Sequence, residues 1–137
     1  MFSGIFIHNV DDKNRLAIPA KFRKALGSTF VLTKGPDGCL WALPMERWNL
    51  LLSKAGQSVT IQRFFIASAC SCTLGAKGRC LLPDELRKHA DIKPGDEVAI
   101  VGMANRIEIW SARRWDAICS QLTSDRLQKE LPEFFEL

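Results

Sequence analysis

The feature that most constrains this chain is that it states one stretch of residues twice. Residues 13–24 read KNRLAIPAKFRK and residues 77–88 read KGRCLLPDELRK. At an offset of 64, Lys13, Arg15, Pro19, Arg23 and Lys24 align with Lys77, Arg79, Pro83, Arg87 and Lys88. The apolar places agree as well: Leu16 with Cys80, Ala17 with Leu81, Ile18 with Leu82, Phe22 with Leu86. At an offset of 67, Gly35, Leu40, Arg47 and Trp48 align with Gly102, Ile107, Arg114 and Trp115. A duplicated unit with one basic motif per copy points to a pseudo-symmetric binding surface rather than to one catalytic pocket.

Both copies parse alike. A strand (Gly4–Asn9; Ser71–Leu74) enters a charged turn, and a short strand follows (Arg15–Ile18; Arg79–Leu82). Pro19 and Pro83 then stand where a helix can begin, because proline's fixed φ suits the first helical turn. Phe22, Ala25 and Leu26 give that helix an apolar stripe, with Lys21, Arg23 and Lys24 outside it. Two strands return in each copy, Phe30–Thr33 and Leu40–Leu43, then Glu97–Val101 and Ile107–Trp110. Their turns, Lys34 to Gly38 and Gly102 to Asn105, hold the glycine and asparagine that positive φ favours. Pro94-Gly95 predicts a type II turn. A longer helix closes each copy, the first beginning at Pro44 and the second capped by Ser111. Trp48 and Trp115 sit on those helices and read as anchors onto the sheet, with nucleic-acid stacking as the alternative.

This parse divides the chain into repeat 1 (residues 1–54), a linking helix (55–69), repeat 2 (70–122) and a C-terminal helical tail (123–137). The tail carries Leu127, Leu131, Phe134, Phe135 and Leu137, apolar groups that need a partner in the domain or in a neighbouring subunit.

Composition excludes several classes. No apolar run approaches the roughly 18–20 residues that span a bilayer, and the first residues, MFSGIFIHN, lack a positive leader, so a cytoplasmic location is expected. Net charge is +4, which permits an anionic partner. Five cysteines, an odd number, argue against a disulfide framework and read as small buried hydrophobes. Cys70 and Cys72 are the one close pair, the alternative being a metal or redox role; their spacing is not that of zinc ligands, and no metal or cofactor is expected. There is no Gly-rich phosphate loop, no His-Glu-x-x-His and no Cys-x-x-Cys, so no enzyme and no small-molecule substrate is expected.

With these residues in view, the start MFSG, the turn from Asp11 to Arg15 followed by LAIP, and the second turn at Arg79 followed by LLP resemble the MraZ family of the SpoVT-AbrB class. The resemblance covers essentially the whole chain. It implies an α+β fold, mainly β with short helices, in which two AbrB-like swapped-hairpin units form a pseudo-two-fold double-split β-barrel. It further implies a DNA-binding transcriptional regulator of the bacterial division and cell-wall gene cluster. Such a protein binds direct repeats in its own promoter, assembles as a homo-oligomeric ring and associates with the nucleoid. The family signature is Asp-x-x-x-Arg once per repeat, its arginine being tied to DNA. Asp11 and Arg15 complete the first copy; in the second, Arg79 is present but Gly75 stands in the aspartate's place, leaving Arg79 without that support. Asn14 replaces the glycine that Gly78 supplies in the second turn, and asparagine tolerates the left-handed conformation.

The chemistry agrees with that implication. Arginine's planar fork suits guanine or phosphate, and lysine suits phosphate as a point charge. Lys13, Arg15, Lys21 and Lys24 would form one basic ridge, and Lys77 and Arg79 its twin, with Asp11 orienting an arginine. For Arg15 and Arg79 the competing reading is a solvated turn or an ion pair with Asp11 or Asp12. Arg23 and Arg87 stay open between a structural role and contact. The competing function is an antitoxin-like interaction module, or a ring-forming scaffold, acting through the apolar tail.

Overall fold

The computed structural model describes residues 1–135. Among the described residues, eight strands and six helices follow one another along the chain. They are β1 (Phe2–Asn9), β2 (Arg15–Ala17), α1 (Ala20–Leu26), β3 (Thr29–Gly35), β4 (Cys39–Pro44), α2 (Met45–Ala55) and α3 (Val59–Ile61). A π-helical turn, Gln62–Ile66, continues α3. Then come β5 (Cys70–Thr73), β6 (Arg79–Leu81), α4 (Asp84–Ala90), β7 (Glu97–Ala104), β8 (Arg106–Ser111), α5 (Ala112–Ser120) and α6 (Ser124–Phe135). The fold is α+β, mainly β with short helices.

Local signals account for most boundaries. Pro19 and Pro83 each precede a seven-residue helix, where their missing N–H is no loss. The Ser111 hydroxyl accepts the amide of Arg114 at 3.3 Å, capping α5. The Asp96 amide donates to Lys93 O at 3.0 Å with Gly95 at φ 83, the expected type II turn. Asn14 takes φ 61, so the first basic turn holds its left-handed residue without glycine; the second turn has two such residues, Lys77 at 61 and Gly78 at 66. The β7–β8 hairpin differs from expectation: its positive φ falls on Ala104, at 61, and not on its glycine.

Six strands make one antiparallel sheet in the order β1-β7-β8-β4-β3-β5, and β2 pairs with β6 as a separate two-stranded ribbon. The sheet is open, so the expected barrel is not formed; β1 and β5 lie at opposite edges and do not meet. The order is nonetheless symmetric. Exchanging β1 with β5, β3 with β7 and β4 with β8 reproduces it in reverse. At the centre, Leu40 pairs with Ile109, Trp41 with Glu108 and Ala42 with Ile107, so Trp41 and Glu108 face each other across the pseudo-axis. In the ribbon Leu16 and Cys80 hold that position. Strands are swapped: β1 pairs with β7, and β5 with β3.

One alignment is corrected. The hairpin pairs Phe30 with Pro44 and Val98 with Ser111, which sets β3 on β7 with an offset of 68, not 67. A slip of one residue would turn every side chain to the other face. Three residues between Gly35 and Cys39, against two between Met103 and Arg106, absorb the difference. Gly35 and Gly102 are therefore not equivalent. Gly102 is required for another reason: a Cβ there would stand 2.4 Å from the Ser3 amide nitrogen on β1.

The core lies between the sheet and a layer made of α1, the ribbon and α4. Leu16, Ile18, Phe22, Phe30, Leu40, Leu82, Ile100 and Ile109 are all fully buried there. Burying a side chain of that size contributes about 1.5–3 kcal/mol. On the opposite face, α2 and α3 cover β3 and β4 through Trp48, and α5 covers β7 and β8 through Trp115. Both indoles pack as sheet anchors, as expected.

Candidate nucleic-acid interface

The ribbon places the two signature arginines on one surface. Strand alternation sends Leu16 and Cys80 into the core and leaves Arg15, Ala17, Arg79 and Leu81 facing out. Arg15 pairs with Leu81 and Ala17 with Arg79, so the arginines stand on a diagonal. His8 fixes the ribbon to β1: its Nδ1 donates to Ala17 O at 2.8 Å.

Asp11 organises this surface. Its Oδ1 accepts the amides of Lys13 at 2.9 Å and Arg15 at 2.8 Å. Its Oδ2 accepts Arg15 Nε at 3.1 Å and Arg79 Nη1 at 3.4 Å. One carboxylate therefore serves both arginines, and Arg79 does not lack an aspartate as the sequence suggested. The antiparallel ribbon carries Arg79 to the aspartate of the other copy. The hold is weaker on Arg79, whose remaining bond is from Nε to Ala76 O at 3.4 Å. The Arg15 amide, with the Lys13 amide and the Arg15 guanidinium, holds the Asp11 carboxyl below its usual pKa against partial desolvation.

The two turns share two backbone hydrogen bonds. Asp11 N donates to Arg15 O at 3.0 Å and Gly75 N to Arg79 O at 2.8 Å; Asn14 N donates to Asp11 O at 3.1 Å and Gly78 N to Gly75 O at 3.2 Å. Lys13 and Lys77 project from these turns, exposed and without an ion-pair partner among the described residues. Lys21 and Lys24 lie on α1, also exposed. The Lys21 ammonium sits over Gly4 of β1, 3.4 Å from where a Cβ would stand, so α1 carries its charge toward the sheet edge rather than into the ribbon.

Arg23 and Arg87 are structural. Arg23 Nε donates to Ile18 O at 2.7 Å and Arg87 Nε to Leu82 O at 2.8 Å, each tying its helix to the carbonyl before the proline. Arg23 Nη2 reaches on to Lys77 O at 3.3 Å, while Arg87 Nη2 pairs with Asp84. Sequence reasoning missed Ala17 and Leu81 as members of the outer surface; the period-2 alternation of RLA and RCL was the signal for them.

Cys39, Cys72 and Cys80 are buried, and burial pushes each thiol up to about 12. Among the described residues no cluster of three or more potential ligands could hold a metal ion. No described helix is long and apolar enough to cross a membrane.

Fold and ribbon together define a swapped-strand protein with a pseudo-two-fold basic surface. A family model described as "MraZ protein, putative antitoxin-like" matches residues 1–62 and 65–134. The protein named transcriptional regulator MraZ in Natranaerobius thermophilus is 39% identical, over 98% of this chain and 99% of its own. Its namesake in Moorella thermoacetica is 43% identical over 93% and 92%, and that in Caldicellulosiruptor bescii 39% over 97% and 98%. The chain belongs to the MraZ family.

Proposed function

We propose that the chain is a sequence-specific DNA-binding transcriptional regulator, cytoplasmic and nucleoid-associated, without catalytic activity. Its target is the division and cell-wall gene cluster, where it binds direct repeats in its own promoter as a ring-like homo-oligomer. Residues 1–54 and 70–122 act as its two repeats, 55–69 as the link and 123–137 as the tail.

The ribbon carries this reading. A two-stranded ribbon fits the major groove of B-DNA, and this one presents two arginines held on a single carboxylate. Arg15 and Arg79 read guanine edges; Lys13 and Lys77 meet phosphates, and Lys21 and Lys24 meet them from α1, toward the sheet edge. Asp11 orients both arginines through charge-assisted hydrogen bonds. The relatives' name, transcriptional regulator, points the same way.

The test is fluorescence anisotropy with DNA from upstream of the chain's own gene, over a salt series. Binding falls by about 0.9 log units per log unit of salt for each phosphate neutralised. Arg15→Ala weakens it about 5- to 150-fold, from ~1–3 kcal/mol per bidentate contact. Arg79→Ala loses less, because Arg79 is held less firmly. Sequence-preferring binding indifferent to both substitutions sinks the assignment of the ribbon. The exposed apolar side chains of α6 favour the second reading, an antitoxin-like module or scaffold. Its contacts persist in high salt.

A further inference from the structure

The two clusters on the outer face of the sheet are images of each other with one member missing. Over β3 and β4, Val31, Leu43, Trp48, Leu51, Ile66 and Ala69 pack together. The strand pairings and helix starts carry Val31 to Ala99, Leu43 to Trp110, Trp48 to Trp115, Leu51 to Ile118 and Ala69 to Ile5. Ala99, Trp110, Trp115 and Ile118 do cluster over β7 and β8. Among the described residues nothing fills the place of Ile66, which comes from the helix after α2. Trp48 is accordingly 8% exposed while Trp115 is half-buried, and Ile5 and Ile7 are 54% and 51% exposed.

The element in the equivalent chain position is α6. It follows α5 as α3 follows α2, each across a link of three residues. Leu127, Leu131 and Phe134 form an apolar stripe along it, and none of its described residues is buried. Chain geometry explains why α6 does not fold back as α3 does. Counted from its start, α5 has nine residues and α2 eleven. Two residues turn a helix by about 200°, so the chain leaves α5 on the opposite side, and no described residue of α6 is buried. In addition, α3 is fixed at its far end by β5, whereas among the described residues α6 joins the fold only through α5.

We propose that α6 of one copy lies on the outer face of β1 and α5 of a second copy, taking the Ile66 place over Ile5, Ile7, Trp115 and Ile118. The area is sufficient. Bare Leu127, Phe134, Phe135, Ile5, Ile7 and Met103 amount to about 600–700 Å² per docking, taking aromatic side chains at about 150–250 Å² each. Two copies that exchange helices reciprocally bring both dockings into one interface of about twice that, within the roughly 1,200–2,000 Å² of specific interfaces. Exchange of a terminal element is a low-cost route to assembly. The inference rests on the function above only in requiring that copies associate; DNA plays no part in it.

Cross-linking tests it in the full-length chain with the exposed thiol removed by Cys119→Ser. One variant carries Ile7→Cys, another Leu131→Cys. Mixed and oxidised, they give a covalent dimer far in excess of either alone. A chain carrying both substitutions gives covalent oligomers. A chain that instead closes on itself, migrating as a compact monomer, overturns the proposal by showing that α6 covers its own sheet. No cross-link from folded variants overturns it as well. Independently, Leu127→Ser with Phe134→Ser shifts the light-scattering mass toward the 15.4 kDa monomer. An unchanged mass contradicts the proposal, whatever the DNA assay shows.

Discussion

Gly78 is the position where a single methyl group separates two physical effects. Its φ is 66, and a Cβ built on it would stand 2.3 Å from both Cζ and Nε of Arg23. An alanine there meets a left-handed backbone, which costs an ordinary residue about 1–2 kcal/mol. It also displaces a guanidinium held at 2.7 Å on Ile18 O. A hydrogen bond to a charged group is worth ~1.5–3 kcal/mol, and solvent at this half-buried site reduces the loss to roughly 1–2. Gly78→Ala should therefore destabilise by about 2–4 kcal/mol. At roughly 3–4 °C per kcal/mol for a chain of this length, the Tm falls by about 6–16 °C. Gly78→Asn isolates the second effect, because asparagine accepts positive φ, as Asn14 does at 61 in the other turn. It should lose only about 1–2 kcal/mol. In an Arg23→Ala background the clash is absent, so the two substitutions combine non-additively by about 1–2 kcal/mol. Thermal unfolding followed by tryptophan fluorescence, at one fixed protein concentration, reads all four variants. Equal losses for Gly78→Ala and Gly78→Asn, or strict additivity with Arg23→Ala, would refute the reasoning.

Two further expectations come from the same structure. Ala104 holds φ 61 in the β7–β8 turn, so Ala104→Gly should stabilise the fold by about 0.5–1 kcal/mol, read as a raised Tm. Burial raises the thiols of Cys39, Cys72 and Cys80 from 9.0 to about 12. Their folded form keeps protons that the unfolded chain releases, so this contribution is complete below pH ~9 and is lost as pH rises toward ~12. Alkaline unfolding followed by circular dichroism should begin in that window. Thiol titration of the native chain near pH 8 should modify Cys119 and spare those three.

Signals confined to a few residues were legible in the sequence. Pro19, Pro83 and Ser111 announce helix starts, Pro94-Gly95 announces its turn, and Trp48 and Trp115 mark the covering helices, because each acts through its immediate backbone or its own bulk. Pairings between distant segments were not legible. That β1 adds to β7, and β5 to β3, follows from which hydrophobic faces meet in space, and no local pattern encodes it. The one-residue difference between hairpin loops hid the offset of 68, so the Gly35 and Gly102 match seen along the chain dissolves in the sheet. Arg23 and Arg87 stayed open between a structural role and contact because the partners that decide it are backbone carbonyls, Ile18 O and Leu82 O, which carry no sequence label.

The missing aspartate shows how far such pairing changes the meaning of a motif. Along the chain Arg79 has only Gly75 four residues before it, and the motif looks half erased. In space the antiparallel ribbon sets Arg15 and Arg79 on one diagonal, so a carboxylate beside one is within reach of the other. The turn survives at Gly75 because its backbone bonds, from Gly75 N to Arg79 O and from Gly78 N to Gly75 O, need no side chain. What the absence changes is balance. Two arginines share one carboxylate, and Lys13 and Lys77 have no ion-pair partner among the described residues, so the surface is more positive than two complete motifs would leave it. Arg79, at 3.4 Å from both of its partners, can leave them more easily than Arg15, which is held at 3.1 Å. Pseudo-symmetry in the backbone therefore coexists with asymmetry in charge. In the proposed complex a firmly placed Arg15 sets the register on DNA and a looser Arg79 adjusts to the second contact.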